Sequence, residues 1–350
     1  MNDLIDARLF NSLKASGIHE ILPMPDETAY SYVTRVMLLE PAIDRQKIVE
    51  QLFGRRSIHI EKPLHPGFGS FTQHLNHAAI SNYDAIRAHS LLPFFQPFVD
   101  ARCYELACKT ANSPSGYGLH KLRGEGVFLT QPAICLDCVR TDIQHRHFSY
   151  YRRSHQVLAV SHCAIHQTQL ITKCSACNMP FSHWDNPSLM CHHCGVQLTQ
   201  LEYDPELLPD IDARIRLSKV VIDVFDNKIS SVETELRLTT IHSQVRKVVR
   251  NRSGIAGDNL ATYLNQMFGR KFLATLGLQT GKAPTLGWPA LLIHGHFLVH
   301  NPIANCLLIA ALFESSDHYN YAIRVQAPLP ESSRIKVNLL GSPGKSIFQI

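Results

Sequence analysis

Apolar residues return at helical spacing over most of this chain. Leu4, Ile5, Leu9, Phe10 and Leu13 follow Asp3, a capping residue, and stop before Gly17, which predicts a first helix. Tyr30, Val33, Val36 and Met37 share one side of a second helix, with Asp26 as its cap and Pro41 beyond its end. Ile48, Leu52 and Phe53 repeat the pattern between Asp44, a cap, and Gly54, which suits the left-handed residue past a helix end. Two helices joined by so tight a turn have the frame of a helix-turn-helix.

Further helices are expected near 68–79 and 82–91. The run Leu91-Leu92-Pro93-Phe94-Phe95-Gln96-Pro97-Phe98 is too rich in proline and aromatics for a regular element and reads as a hydrophobic plug. Cys103 and Cys108 fall on a helix at no metal spacing and read as core or half-buried positions. Asn112, Pro114, Gly116 and Gly118 make a joint.

Helical periodicity resumes near residue 208. Asp210 caps a helix carrying Ile215, Leu217, Val220, Val221 and Val224, and Asp258 caps one carrying Leu260, Tyr263, Leu264, Met267 and Phe268, closed by Gly269. Asn301-Pro302, a cap followed by proline in the first turn, opens the apolar run from Cys306 to Phe313. An irregular tail is expected from about 326. The chain therefore reads as mainly α in three parts: an N-terminal helix-turn-helix-like domain (1–112), a central double zinc-finger, ribbon-like module (113–205) and a C-terminal helical domain (206–350).

In the central part cysteines replace periodicity as the organising pattern. Seven of the ten cysteines and one histidine form four close pairs: Cys135/Cys138, Cys163/His166, Cys174/Cys177 and Cys191/Cys194. Two residues between ligands let a tight turn aim both at one tetrahedral zinc. Taken in order, Cys135, Cys138, Cys163 and His166 form one site, and Cys174, Cys177, Cys191 and Cys194 the other. Both would be full, so two structural Zn2+ ions with no open catalytic position are expected. His162, His183, His192 and His193 lie nearby at poorer spacing and are left out. The pair order also fits a RING finger, hence a ubiquitin-ligase adaptor, but seven residues separate the second and third pairs, where a cross-brace keeps them almost adjacent.

Composition adds limits. With 45% hydrophobic and 18% charged residues the chain is an ordinary globular protein. It has no apolar run of membrane-spanning length and no signal-peptide layout at its start, so a reducing cytosolic compartment is expected. A net charge of +5 permits nucleic-acid contact without demanding it. Phosphate-binding loops, the H-E-x-x-H and G-x-S-x-G motifs and dinucleotide fingerprints are missing, so no enzyme activity is expected.

Several stretches resemble the TniQ family, the transposon target-selection proteins that include TnsD. They are Leu22-Pro23-Met24-Pro25-Asp26-Glu27-Thr28 with Tyr30–Arg35, Phe53-Gly54-Arg55-Arg56, His89–Phe98, Cys135-x-x-Cys138, Tyr151–Gln156 and Cys163-x-x-His166. The resemblance covers about 22–200 and fades beyond. It implies a non-catalytic adaptor of the bacterial cytosol and nucleoid that marks a target and recruits an AAA+ ATPase transposition regulator. Short members often take their target from a CRISPR effector complex with its guide RNA, and some are homodimers; long TnsD-type members read target DNA directly. This chain is shorter than the long members, which favours the effector-recruited role.

For nucleic-acid or partner contact the candidates are Arg35, Arg55 and Arg56 beside the first helix pair, and Arg246, Lys247, Arg250 and Arg252 in a later helix. Arg152 and Arg153, next to Tyr150 and Tyr151 in the first zinc loop, suit either a phosphate clamp or packing against neighbouring helices.

Overall fold

The computed structural model describes residues 21–41, 43–54, 68–71, 82–111, 126–200, 210–249, 256–278, 288–289 and 300–326. The helix expected over residues 4–13, the segment 72–79, the joint at 112–118, Arg55, Arg56, Arg250, Arg252 and the tail beyond 326 lie outside them. Among the described residues the regular elements are helices, and β pairing is confined to isolated bridges. None of these helices is long and apolar enough to cross a membrane.

The described chain divides into two compact units, one from 1–93 and 102–202, the other from 94–101 and 203–350. In the first unit, α1 (Ala29–Leu39) packs on α2 (Arg45–Phe53). Val33 and Val36 from α1 and Ile48 and Leu52 from α2 are all fully buried, as their helical spacing required. Asp44 caps α2 by accepting from the Gln46 N–H at 2.8 Å, and Gly54 ends it at φ 65°. Phe53 stacks on Phe71, with centroids 5.2 Å apart, and Tyr32 meets the same ring edge-on.

The cap of α1 corrects the sequence reading. Thr28, not Asp26, accepts from the helix, through Oγ1 and the Ser31 N–H at 3.2 Å. Asp26 sits at φ 58°, outside the helix, and its carboxylate accepts from the Arg153 Nε–H and the Ser154 hydroxyl. The two stretches pair as backbone too: Thr28 N–H donates to Tyr151 O (3.0 Å) and Arg153 N–H to Asp26 O (2.8 Å). The N-terminal helices and the cysteine-rich segment therefore share one unit.

The unit also holds α3 (Asn82–His89) and most of α4 (Ala101–Ala111), where Cys108 is buried and Cys103 half-buried. The plug contains a 3₁₀ turn, Leu92–Phe95, and Leu91, Leu92, Phe94, Phe95 and Phe98 are buried.

The second unit is built around α10 (Pro302–Leu312), all of whose residues are buried. It packs against α6 (Ile211–Phe225), α7 (Thr234–Val249) and α11 (Ser316–Val325), while α8 (Ala256–Phe268) packs on α6, α7 and the short α9 (Arg270–Thr275). A helix apolar on every side has this central position as its stable place. Asp210 and Asn301 cap α6 and α10, accepting from the Ala213 and Ala304 N–H groups at 2.9 and 3.0 Å. Asp258 does not cap α8, which already starts at Ala256. Phe94 and Phe98 join this unit: Phe94 stacks on Phe225, and the buried Arg237 donates to the carbonyls of Pro97 and Phe98.

Candidate metal centres

Three of the four ligand pairs are built on one backbone plan. In each, the residue after the second ligand has positive φ: Gln167 (60°), Asn178 (56°) and Gly195 (70°). Its N–H donates to the carbonyl of the first ligand, Cys163, Cys174 or Cys191, at 2.8–3.0 Å. The N–H of that first cysteine donates in turn to Thr168, Met179 or Val196, five residues on. An isolated antiparallel bridge closes each turn, His162 to Gln169, Lys173 to Pro180 and Met190 to Gln197. Asparagine and glycine tolerate the left-handed position best, so the second site has the easier turns.

The fourth pair differs. Cys135 is the cap of α5 (Leu136–Arg146), its sulfur accepting from the Cys138 N–H at 3.4 Å, so Cys138 lies in the first helical turn. Ile134 and Ile171 exchange both backbone hydrogen bonds at 2.9 Å, which brings this helix start to the Cys163 turn.

The ligand atoms of Cys135, Cys138, Cys163 and His166 all lie within 4.8 Å of one another, as do those of Cys174, Cys177, Cys191 and Cys194. Ligands about 2.3 Å (sulfur) and about 2.0 Å (nitrogen) from a tetrahedral zinc stand roughly 3.8 Å apart for two sulfurs and roughly 3.5 Å for sulfur and nitrogen. Cys138 and Cys163 are 3.7 Å apart, and His166 Nδ1 lies 3.6, 3.3 and 3.7 Å from the three sulfurs. In the second cluster Cys174–Cys194 and Cys177–Cys191 are both 3.8 Å. Both donor sets fit a structural zinc ion, held through His166 Nδ1 in the first.

Within each cluster the sulfurs share protons unequally. The Cys138 thiol, then the Cys163 thiol, donate to Cys135 and hold it far below the ordinary thiol value, and the same contacts push Cys138 and Cys163 up. Cys191 falls to about 6, chiefly because the Cys194 N–H donates to its sulfur, while burial pulls the other way. Thr168 Oγ1, 3.2 Å from Cys135 Sγ, joins this shell, and no sequence signal marks it. The four spare histidines stay out of both clusters: His162 meets Ser161, His183 packs on Tyr30, His192 pairs with the Asn186 carbonyl and His193 is exposed.

Three candidate arginines prove to be internal. Arg35 is buried and holds Glu27 at two points, 2.8 and 3.1 Å, with the Leu22 carbonyl as a third acceptor. Arg152 donates both Nη groups to Asp142 at 2.9 Å; burial works against its charge, but these bonds outweigh it and keep the guanidinium's pKa above the usual value. Arg153 holds Asp26 and the carbonyls of Arg87 and Ser90. The donors of these three face carboxylates and carbonyls inside the unit, and Tyr150 and Tyr151 beside them are buried. Arg246 and Lys247 are exposed at the end of α7.

Residues 20–170 match the family model for TniQ. The matched stretch takes in α1, α2 and the first metal site and stops before Cys174. No curated protein matches the chain at a significant level.

Proposed function

From the match of residues 20–170 to the TniQ family model we propose a non-catalytic target-selection adaptor of a transposition system. It links a target-recognition complex, a CRISPR effector with its guide RNA, to an AAA+ transposition regulator. The family match is the observation that carries this reading. The metal centres support it as scaffolding: all eight ligand positions are taken by side chains, which leaves no open position for substrate.

The alternative, a TnsD-type protein that reads DNA directly, needs cations free to meet phosphate. Arg35, Arg152 and Arg153 are engaged inside the fold, which favours recruitment through protein surfaces. Arg246 and Lys247 remain as exposed candidates for a weak phosphate contact.

Co-purification from cells expressing the chain with its genomic neighbours tests the proposal, beside duplex-DNA binding by the isolated chain at near-physiological salt. Recovery of effector and ATPase with weak DNA binding is the expected result. Tight binding of one duplex sequence by the chain alone would transfer the reading to the TnsD type.

A further inference from the structure

The loop between the two cysteine pairs of the second site does more than join them. Its residues 182–186 lie across the first helix pair. His183 meets Tyr30 of α1 edge-on, with ring centroids 4.7 Å apart. Asn186 Nδ2 donates to the Thr34 carbonyl, one turn further along α1, at 3.2 Å. Trp184 lies against the guanidinium of Arg45, the first residue of α2, at 4.7 Å. The Ser182 carbonyl accepts from the Tyr151 hydroxyl at 3.3 Å.

This strap contains no helix or strand. A segment without regular structure keeps its shape through what fixes its ends, and here both ends are ligand pairs, Cys174/Cys177 and Cys191/Cys194. The bound metal is therefore the closure that holds His183, Trp184 and Asn186 against α1 and α2.

The two metal sites differ in access. In the first site all three cysteines, Cys135, Cys138 and Cys163, are at most 2% exposed, and only His166 is half-buried. In the second site Cys194 is exposed and Cys177 half-buried. A chelator reaches exposed thiolates without prior unfolding.

We propose that the second metal site is a releasable latch on the first helix pair. Its zinc exchanges first, and its loss lifts the 182–186 strap from α1 and α2 while the first site stays folded. The latch lies outside the 20–170 match, and it rests on the two-zinc reading, not on what the chain recruits.

The test uses the zinc-loaded full chain carrying Trp288→Phe, which leaves Trp184 as its one tryptophan. A chromophoric chelator is titrated while released zinc, Trp184 emission and hydrogen exchange in 29–39, 45–53 and 136–146 are followed. One equivalent of zinc should leave first, with a shift in Trp184 emission and several-fold faster exchange in 29–39 and 45–53, while 136–146 keeps its protection. Cys194→Ser should reproduce that state with one zinc bound. Trp184→Ala should retain two zinc ions yet raise exchange in 45–53, which separates strap contact from metal-driven folding. Simultaneous release of both ions, early loss of protection in 136–146, or unchanged exchange in 29–53 after one ion has left would overturn the latch. So would unchanged 45–53 protection in a two-zinc Trp184→Ala protein.

Discussion

Arg35 and Glu27 form a two-point ion pair sealed from solvent: Nη2 to Oε2 is 2.8 Å, Nε to Oε1 3.1 Å, and the side chains are 4% and 0% exposed. Glu27 Oε1 also accepts from the Ser31 hydroxyl, whose oxygen accepts from the Tyr151 N–H at 2.8 Å. The pair thus fastens α1 to the chain that runs into the first metal site. Arg35→Ala leaves Glu27 buried without its cation, and the expected loss is about 3–5 kcal/mol. Urea unfolding measures it; a stable Arg35→Ala protein would remove the structural role.

Asp142 offers a contrast within one carboxylate. It accepts from Arg152 at two points, from Arg146 at 2.9 Å and from the Ser149 hydroxyl at 3.0 Å. The Arg146 side chain is 41% exposed and that of Arg152 14%. Arg146→Ala should lower stability by less than about 1 kcal/mol. Arg152→Ala takes the more buried cation and two of four hydrogen bonds from a carboxylate 1% exposed, and should lower it by more, up to about 3–5 kcal/mol. Equal effects in a denaturant titration would show that burial does not separate the two partners.

Acid should weaken the first unit through His89. Burial first, then the charges of Arg153 and Arg35, lower its pKa to about 4, although its Nδ1–H donates to the Glu27 carbonyl at 3.3 Å. The unfolded histidine titrates near about 6.5. Below that pH the unfolded chain takes up the proton more readily, so this contribution is complete above about 6.5 and drains away as pH falls toward 4. His89→Gln removes the titration. A flatter stability profile between these limits in zinc-saturated buffer is the expected outcome, and parallel profiles for both proteins would refute it.

Metal content is a direct count. Plasma emission spectrometry should find two zinc ions per chain, and one after Cys138→Ser, with loss of hydrogen-exchange protection in 136–146 in that variant.

Burial in the second unit predicts a cavity effect. Leu307, fully buried on α10, should lose about 2–5 kcal/mol on mutation to alanine. Ile211, 41% exposed at the start of α6, should change stability by less than about 1 kcal/mol under the same substitution. Thermal melts of both variants distinguish them.

What the chain determines by itself is what is encoded over a few residues. Two-residue ligand spacing with Asn178 or Gly195 after it is enough to shape a knuckle, and Asp44, Asp210 and Asn301 announce the helices that begin at the next residue. The apolar run of α10 foretold its burial in the same way. The fate of the arginines was decided elsewhere. Arg153 meets Asp26 across 127 positions of sequence, Trp184 reaches Arg45, and Asp26 gave up its expected cap to become an acceptor. A guanidinium looks the same in sequence whether it faces phosphate or a buried carboxylate. Which one it meets depends on the distant segments that desolvate it, and those are brought together by the tertiary fold alone.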